Sequence, residues 1–454
     1  MPFPKIDSIA VIALVLLAAD SLPAQTPAQA FGASRSHHCG LGASGTGVGD
    51  FNGDGYLDVV TANRTDDNVG LLLGDGFGQL GPVTTFPTSG GAHELAVGDV
   101  NQDGHLDVAV ADNGGDMLTI LLGDGMGGFA PAASFPSGNN PLTVALGDFD
   151  EDGDLDAAVS TYPDVVIHLG DGLGGFSTFV NYPVGGRPFF LATADMNEDG
   201  HLDVVGVNYN TSTVAILHGT GLGTFLPAQV FSAGVGGKSV AVADLNHDDD
   251  LDLVVASYDS HEVEVFLNDG FGSFLSVATM SAGLATHSVD VADFDFDGHP
   301  DIVAASSNSQ DVRLFLGDGS GAFGSPTVYG SGIGPHTLAI GDFNGDLSPD
   351  LLEACFSSAN VHLRLNTRPH PSFDGTVDTP SGTPQKVLFV DGSSQARIAL
   401  GLNQPVLINV LAPPSSPSIA YFLLAGYVGE PSLAKVTDLP FGLGQVCFPA
   451  PLVA

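Results

Sequence analysis

The sequence predicts an all-β fold: a seven-bladed β-propeller whose last blade is closed by an N-terminal strand, followed by a small β-rich C-terminal domain. Three observations predict it. A nine-residue acidic pattern recurs seven times, starting at Asp50, Asp99, Asp148, Asp195, Asp244, Asp293 and Asp342. The starts lie 49 residues apart, except for one interval of 47 shortened after Ser160. Each unit carries four short apolar runs divided by turn signals, and repeats of about 40–50 residues with four strands mark propeller blades. Finally, a Phe stands 19 residues before five of the acidic patterns, and Phe31 stands 19 before the first.

Residues 1–24 read as a secretory signal: Lys5, an apolar run over 9–19, then small and polar residues with cleavage after Ala24 or Ala30. Eleven apolar residues are too few to span a bilayer. The propeller covers 31–367. In each unit the run before the acidic loop (95–97, 240–242) is the innermost strand, and the run after it (57–60, 106–110) is the second. The third ends at a Gly-Asp-Gly turn (71–76, 118–125). The fourth opens at Phe129, Phe176, Phe225, Phe274 or Phe323, with Leu80 in that place in the first unit. The seventh unit stops at Asn366 and Thr367 without a fourth strand. The segment at Phe31 supplies it, leaving no open sheet edge. Beyond the repeats, residues 371–454 are rich in Pro, Ser and Thr, with strands expected at 387–390, 396–400, 406–410 and 419–424.

The acidic loops carry the chemistry. Positions one, five and nine are Asp in all seven, position three is Asn or Asp, and position six is Gly in five. Alternate side chains of a tight loop turn their oxygens inward, and the carbonyl of position seven adds another. Such a hard, flexible oxygen shell suits calcium, whereas magnesium demands a tighter octahedron. Three carboxylates within nine residues repel one another unless a cation sits among them. Gly at position six permits the positive φ of the turn. Asp249 and Leu347 replace it in the fifth and seventh loops, and Leu tolerates that φ least.

These residues resemble the FG-GAP/VCBS repeats of integrin α-subunits and of secreted bacterial proteins. The resemblance covers about residues 31–367. It implies a seven-bladed propeller, five to seven structural Ca2+ sites, and roles in adhesion or recognition. The implied ligands of the first loop are Asp50, Asn52, Asp54, the Tyr56 carbonyl and Asp58. In the second they are Asp99, Asn101, Asp103, His105 and Asp107, and in the third Asp148, Asp150, Asp152, Asp154 and Asp156. The fourth offers Asp195, Asn197, Asp199, His201 and Asp203; the fifth offers Asp244, Asn246, Asp248, Asp250 and Asp252. The sixth offers Asp293, Asp295, Asp297, His299 and Asp301, and the seventh Asp342, Asn344, Asp346, Ser348 and Asp350.

Six residues before each loop stand Ser44, His93, Leu142, Phe189, Lys238, His287 and His336. They are expected to ring the axis on the face opposite the loops, as a binding rim, a three-His metal site, or strand starts without a ligand. The sequence holds no G-x-S-x-G, no H-E-x-x-H and no phosphate-binding Gly loop, and no Trp. The Gly74–Gly78 and Gly123–Gly127 segments precede strands, so they read as hairpin turns. The expected partner is an extracellular protein or glycan, met by a recognition or adhesion scaffold. The alternative is a secreted enzyme acting on polysaccharide or lipid at the axis. Cys39 and Cys355 both fall near the ring closure, so a disulfide between them is one reading; pairing with Cys447 and free thiols are the others.

The composition fits this picture. Against 11 Lys and Arg stand 52 Asp and Glu, a formal charge of −41. That excludes a nucleic-acid binder, which needs a basic footprint, and disfavours an anionic membrane surface and anionic partners. The 43% hydrophobic content excludes a disordered acidic tail. The seven loops hold 28 of the 45 acidic residues between 25 and 367. Five to seven Ca2+ ions would bring −41 to between −31 and −27.

Overall fold

The computed structural model describes residues 30–368, apart from 131, 132 and 178, together with the backbone of four short strands at 375–377, 385–387, 406–407 and 425–426. The expected signal segment, Cys447 and most of the expected C-terminal strands lie outside the described residues. Two antiparallel pairs are described there: Gly375–Val377 with Gln385–Val387, and Val406–Leu407 with Ala425–Gly426. Among the described residues there is no helix. None is therefore long and apolar enough to cross a membrane.

Seven four-stranded antiparallel sheets form the seven blades. Six are built from consecutive strands, over residues 43–87, 92–136, 144–183, 188–232, 237–281 and 286–330. The seventh takes three strands from 335–364 and its outer strand, Arg35–His38, from the N-terminal side, paired against Asn360–Arg364. Phe31 bridges Asn366, the Gly32 N–H donates to the Leu365 carbonyl at 2.9 Å, and the Thr367 N–H donates to the Ala30 carbonyl at 2.7 Å. The closure expected from the Phe31 register is thus formed.

The second strand of every blade is buried along its whole length, because blades cover it on both sides. This is why its sequence is a continuous apolar run and not an alternating one. Seven hydrophobic clusters fill the seven gaps between neighbouring blades. The Phe of the Gly-Gly-Phe turns behaves differently from the expected strand opener. Phe129, Phe176, Phe225 and Phe323 each make an isolated bridge to the Gly of the preceding turn, and the outer strand proper starts later. Only Phe274 heads its strand, Phe274–Ser281.

Candidate functional site

Each acidic loop joins the innermost strand of a blade to the second, and all seven share one hydrogen-bonded backbone. The carboxylate at position one accepts the N–H of position six, as Asp50 does from Gly55 at 2.8 Å and Asp342 from Leu347 at 2.8 Å. Position five accepts the N–H of position seven, as Asp54 does from Tyr56 at 2.9 Å. Position nine is buried and takes two N–H groups: Asp58 accepts Phe51 at 2.9 Å and Gly74 of the third-strand turn at 2.7 Å. Asp350 does the same with Phe343 and Asn366. The replaced glycines leave this scaffold intact. Position-six Gly residues have φ of 86 to 94°, and Asp249 and Leu347 sit at 72 and 68° with the same bond made. Position four also turns left-handed, at Gly53 (73°) and Gly345 (72°) and equally at Gln102 (56°) and Phe296 (60°), so Gly in two of the seven repeats was the one hint of it.

The oxygens crowd. Burial pushes Asp58, Asp156 and Asp252 up to about 6 and Asp301 and Asp350 up to about 7, and the carboxylates of their own loops add to it. Five loops relieve part of the repulsion with Asn at position three, whose amide donates to the position-five carboxylate, as Asn52 does to Asp54 at 3.0 Å. The third and sixth loops have Asp there. In them three carboxylates, Asp148, Asp150 and Asp156, or Asp293, Asp295 and Asp297, bring oxygens within 4.8 Å of one another. A hard divalent cation is the group that such a donor set fits. In the sixth loop the Arg368 guanidinium lies 2.8 Å from Asp295.

Position two ties each loop to the ring. Phe51, Val100, Phe149, Met196, Leu245, Phe294 and Phe343 each enter the cluster shared with the next blade. Phe51 meets Phe129 edge-on at 5.6 Å, and Phe149 meets Phe225 at 5.4 Å. The Phe51 carbonyl accepts Gly127 of the next blade's outer hairpin at 3.1 Å, and Phe343 accepts Gly78 across the closure at 2.9 Å. The repeated Phe is therefore the partner of the previous blade's loop.

The opposite face carries the rim. In six blades the innermost strand begins with a register shift, and the residue skipped is Ser44, His93, Phe189, Lys238, His287 or His336. A bulge re-aims the side chain that it carries. The rim groups crowd together around the axis: His287 and His336 rings of adjacent blades at 3.6 Å, His93 and Phe189 at 5.7 Å, and Lys238 Nζ 3.2 Å over Phe189. His93 Nδ1 donates to the Leu142 carbonyl at 2.8 Å, His287 Nδ1 to His336 at 2.9 Å, and His336 Nδ1 to Ser44 at 2.8 Å. A carbonyl can only accept, so Nδ1 holds the proton and Nε2 keeps a lone pair. Burial pulls all three imidazoles down, His336 to about 3.

The three His do not make the metal site considered above: among the described residues, only the third and sixth acidic loops gather three His, Cys, Asp or Glu donors. Instead a cavity of about 590 Å³ opens at the rim. A second cavity, about 340 Å³, lies among the innermost strands and is lined by Glu94 and Asp290, whose carboxyls burial pushes up, Asp290 to about 6. Neither is marked in the sequence, since each stands in an ordinary strand and only the ring turns it to the axis. The disulfide reading is also corrected. Cys39 and Cys355 are buried free thiols at the closure, which burial pushes up to about 12 and about 11.

A closed ring of seven blades, each bearing an acidic loop between its first two strands, defines a class of repeat propeller. The FG-GAP-like repeat family matches residues 50–110, 99–159, 195–255, 248–304 and 293–353. These segments cover more than half of the chain, which belongs to that family. No curated protein sequence matches it. Among solved structures, a chain of the BBS1N complex with ARL6DN is 13% identical, with 75% of this chain and 97% of that one covered and a TM-score of 0.53. A protein from Lactobacillus plantarum is 13% identical, with 65% and 86% covered and a TM-score of 0.51. The Pseudomonas aeruginosa periplasmic gluconolactonase is 20% identical, with 66% and 85% covered and a TM-score of 0.47. At such identities the first two likenesses speak for the fold alone.

Proposed function

We propose that this chain is a secreted, calcium-binding propeller that acts as a recognition or adhesion scaffold for an extracellular protein or glycan. The loops hold five to seven Ca2+ ions through the side chains of positions one, three, five and nine and the carbonyl of position seven. Calcium here is structural. The observation that carries this reading is the position-two anchor: the residue next to each first ligand is packed into the gap to the following blade. Neutralising the loop therefore stabilises the ring and not merely a turn. A ligand that binds only the folded state raises its stability, so excess chelator is expected to lower the melting temperature by ten degrees or more. Metal analysis of the dialysed protein is expected to return five to seven calcium ions per chain. An unchanged melting curve with no bound metal would sink the reading. Secretion is supported by the N-terminal residues 1–24 and is checked by N-terminal sequencing of the exported protein. The enzyme alternative has one observation in its favour, the axial cavity with its three His. A polysaccharide and lipid turnover screen separates the two, since a scaffold binds without producing new ends.

A further inference from the structure

We propose that the axial cavity opposite the acidic loops binds a small acidic sugar, whose carboxylate or phosphate is held by Arg64, Arg187 and Lys238. The inference rests on the reading of this face as the recognition face and names what that face recognises.

The argument begins with the distribution of cations. Residues 25–367 hold only six Lys and Arg among 45 Asp and Glu. Arg313 and Arg364 pair with Asp311 and Glu353, and Arg35 donates to the carbonyls of Phe77 and Gly78. The other three line one cavity, and no Asp or Glu lines it with them. Among the described residues none of the three makes an ion pair, although Arg64 donates to Asn113 Oδ1 at 3.4 Å. The Nε of Arg187 is buried without a hydrogen-bond partner. A buried donor left unpaired costs free energy that an incoming acceptor returns. Burial first, and then the neighbouring Arg187 charge, pulls the Lys238 ammonium down to about 7; Asp259, bonded to Tyr209 at the edge, opposes this. At physiological ionic strength charges are screened over about 8 Å, so the acidic loops on the far face do not cancel this local field.

The rest of the lining says what body carries the anion. Phe189, Tyr258 and Phe356 give the cavity aromatic surface, with Lys238 Nζ over the Phe189 ring. His93, His287 and His336 each keep a bare Nε2, since Nδ1 is engaged by a backbone carbonyl, and a bare Nε2 accepts from a ligand hydroxyl. About 590 Å³ is the size of a small-molecule site. Cations for an acid, acceptors for hydroxyls and aromatic surface for a ring together describe an acidic sugar.

The test is calorimetric titration of the full, calcium-saturated chain with glucuronate, glucose 6-phosphate and glucose, three ligands that differ only in the acid. At least one acidic sugar is expected to bind at least tenfold more tightly than glucose, and the two acids tell carboxylate from phosphate. Lys238→Met and Arg187→Gln are each expected to weaken that binding tenfold or more at an unchanged melting temperature, while Arg35→Gln leaves it unchanged. Should either variant fail to fold, Arg64→Gln, on an exposed side chain, is expected to weaken it as well. The proposal is overturned by equal affinity for glucose, by acid binding that survives these substitutions, or by no heat from either acid up to ~10 mM. A glycan array positive for neutral glycans alone would overturn this inference and leave the recognition reading standing. An array and a protein screen both blank would remove the recognition reading itself.

Discussion

His336 shows how much a single residue's position decides. In the unfolded chain an imidazole titrates near 6.5, and in the ring burial holds it at about 3. The folded state thus binds fewer protons than the unfolded state between these values. Its contribution to stability is present above pH 6.5 and is lost as the pH falls, by up to about 1.4 kcal/mol per pH unit. His336→Asn keeps an N–H for the Ser44 carbonyl and removes the titration, so the decline in melting temperature between pH 6.5 and 4 is expected to flatten against the parent. Cys39 and Cys355 make the parallel case for thiols. Raised to about 12 and about 11, they hold almost no thiolate at pH 8, and that is the reactive form. Iodoacetamide is expected to leave both unmodified in the folded protein and to label both after denaturation, as read by peptide mass mapping.

At the scale of the element, the seven loops share a backbone but not a charge. The third loop carries Asp150 where five others carry Asn, and among the described residues no guanidinium pairs with that extra carboxylate. The sixth carries Asp295, which Arg368 holds at 2.8 Å. The third loop is therefore expected to bind calcium most tightly. Asp150→Asn should weaken the tightest class of site by tenfold or so, whereas Arg368→Gln should strengthen one site. Calcium titration followed by calorimetry checks both directions. A tightest site untouched by Asp150→Asn would contradict the charge argument. Donor spacing at positions one, three, five and nine was plain in the residues, because a loop's own oxygens are placed by local backbone. The second left-handed turn at position four was not, because only Gly53 and Gly345 ask for it, and Gln102, Glu151, Glu198, His247 and Phe296 have no feature in common that does. It is imposed by the bonds to the position-one carboxylate.

On the scale of the whole molecule, stability depends on closing the ring. Phe31 is 2% exposed and meets Phe294 and Tyr329 edge-on, each at 5.2 Å. It sits in the gap between the last two blades, and its bridge to Asn366 is one of the links, with the Arg35–His38 strand, that join the two ends of the propeller. Phe31→Ala is expected to destabilise the chain by about 3–5 kcal/mol, read as a lower urea midpoint. A substitution at an exposed position of the same strand, such as Ser36→Ala, should move that midpoint far less. Both faces carry acids, the repeated loops on one and Asp66, Asp67, Asp116 and Asp259 in the turns after the second strands on the other, but three of the few cations gather at the rim cavity.

The residues alone determined the blades, their number, the closure at Phe31 and the geometry expected of the acidic loops. The blades and the loops rest on hydrogen bonds and packing within about fifty residues, so each repeat states them separately; the closure joins Phe31 to Asn366 around the ring and was legible because Phe31 repeats the 19-residue spacing. Tertiary structure alone decided the rest. Glu94, Asp290 and the rim side chains come from strands some 50 residues apart or more, and no local pattern records that they converge on one axis. The same holds for the sign of the cavity. A formal charge of −41 argued against anionic partners, yet charge acts over a few ångströms in salt water, and the ring gathers three of its few cations into one place.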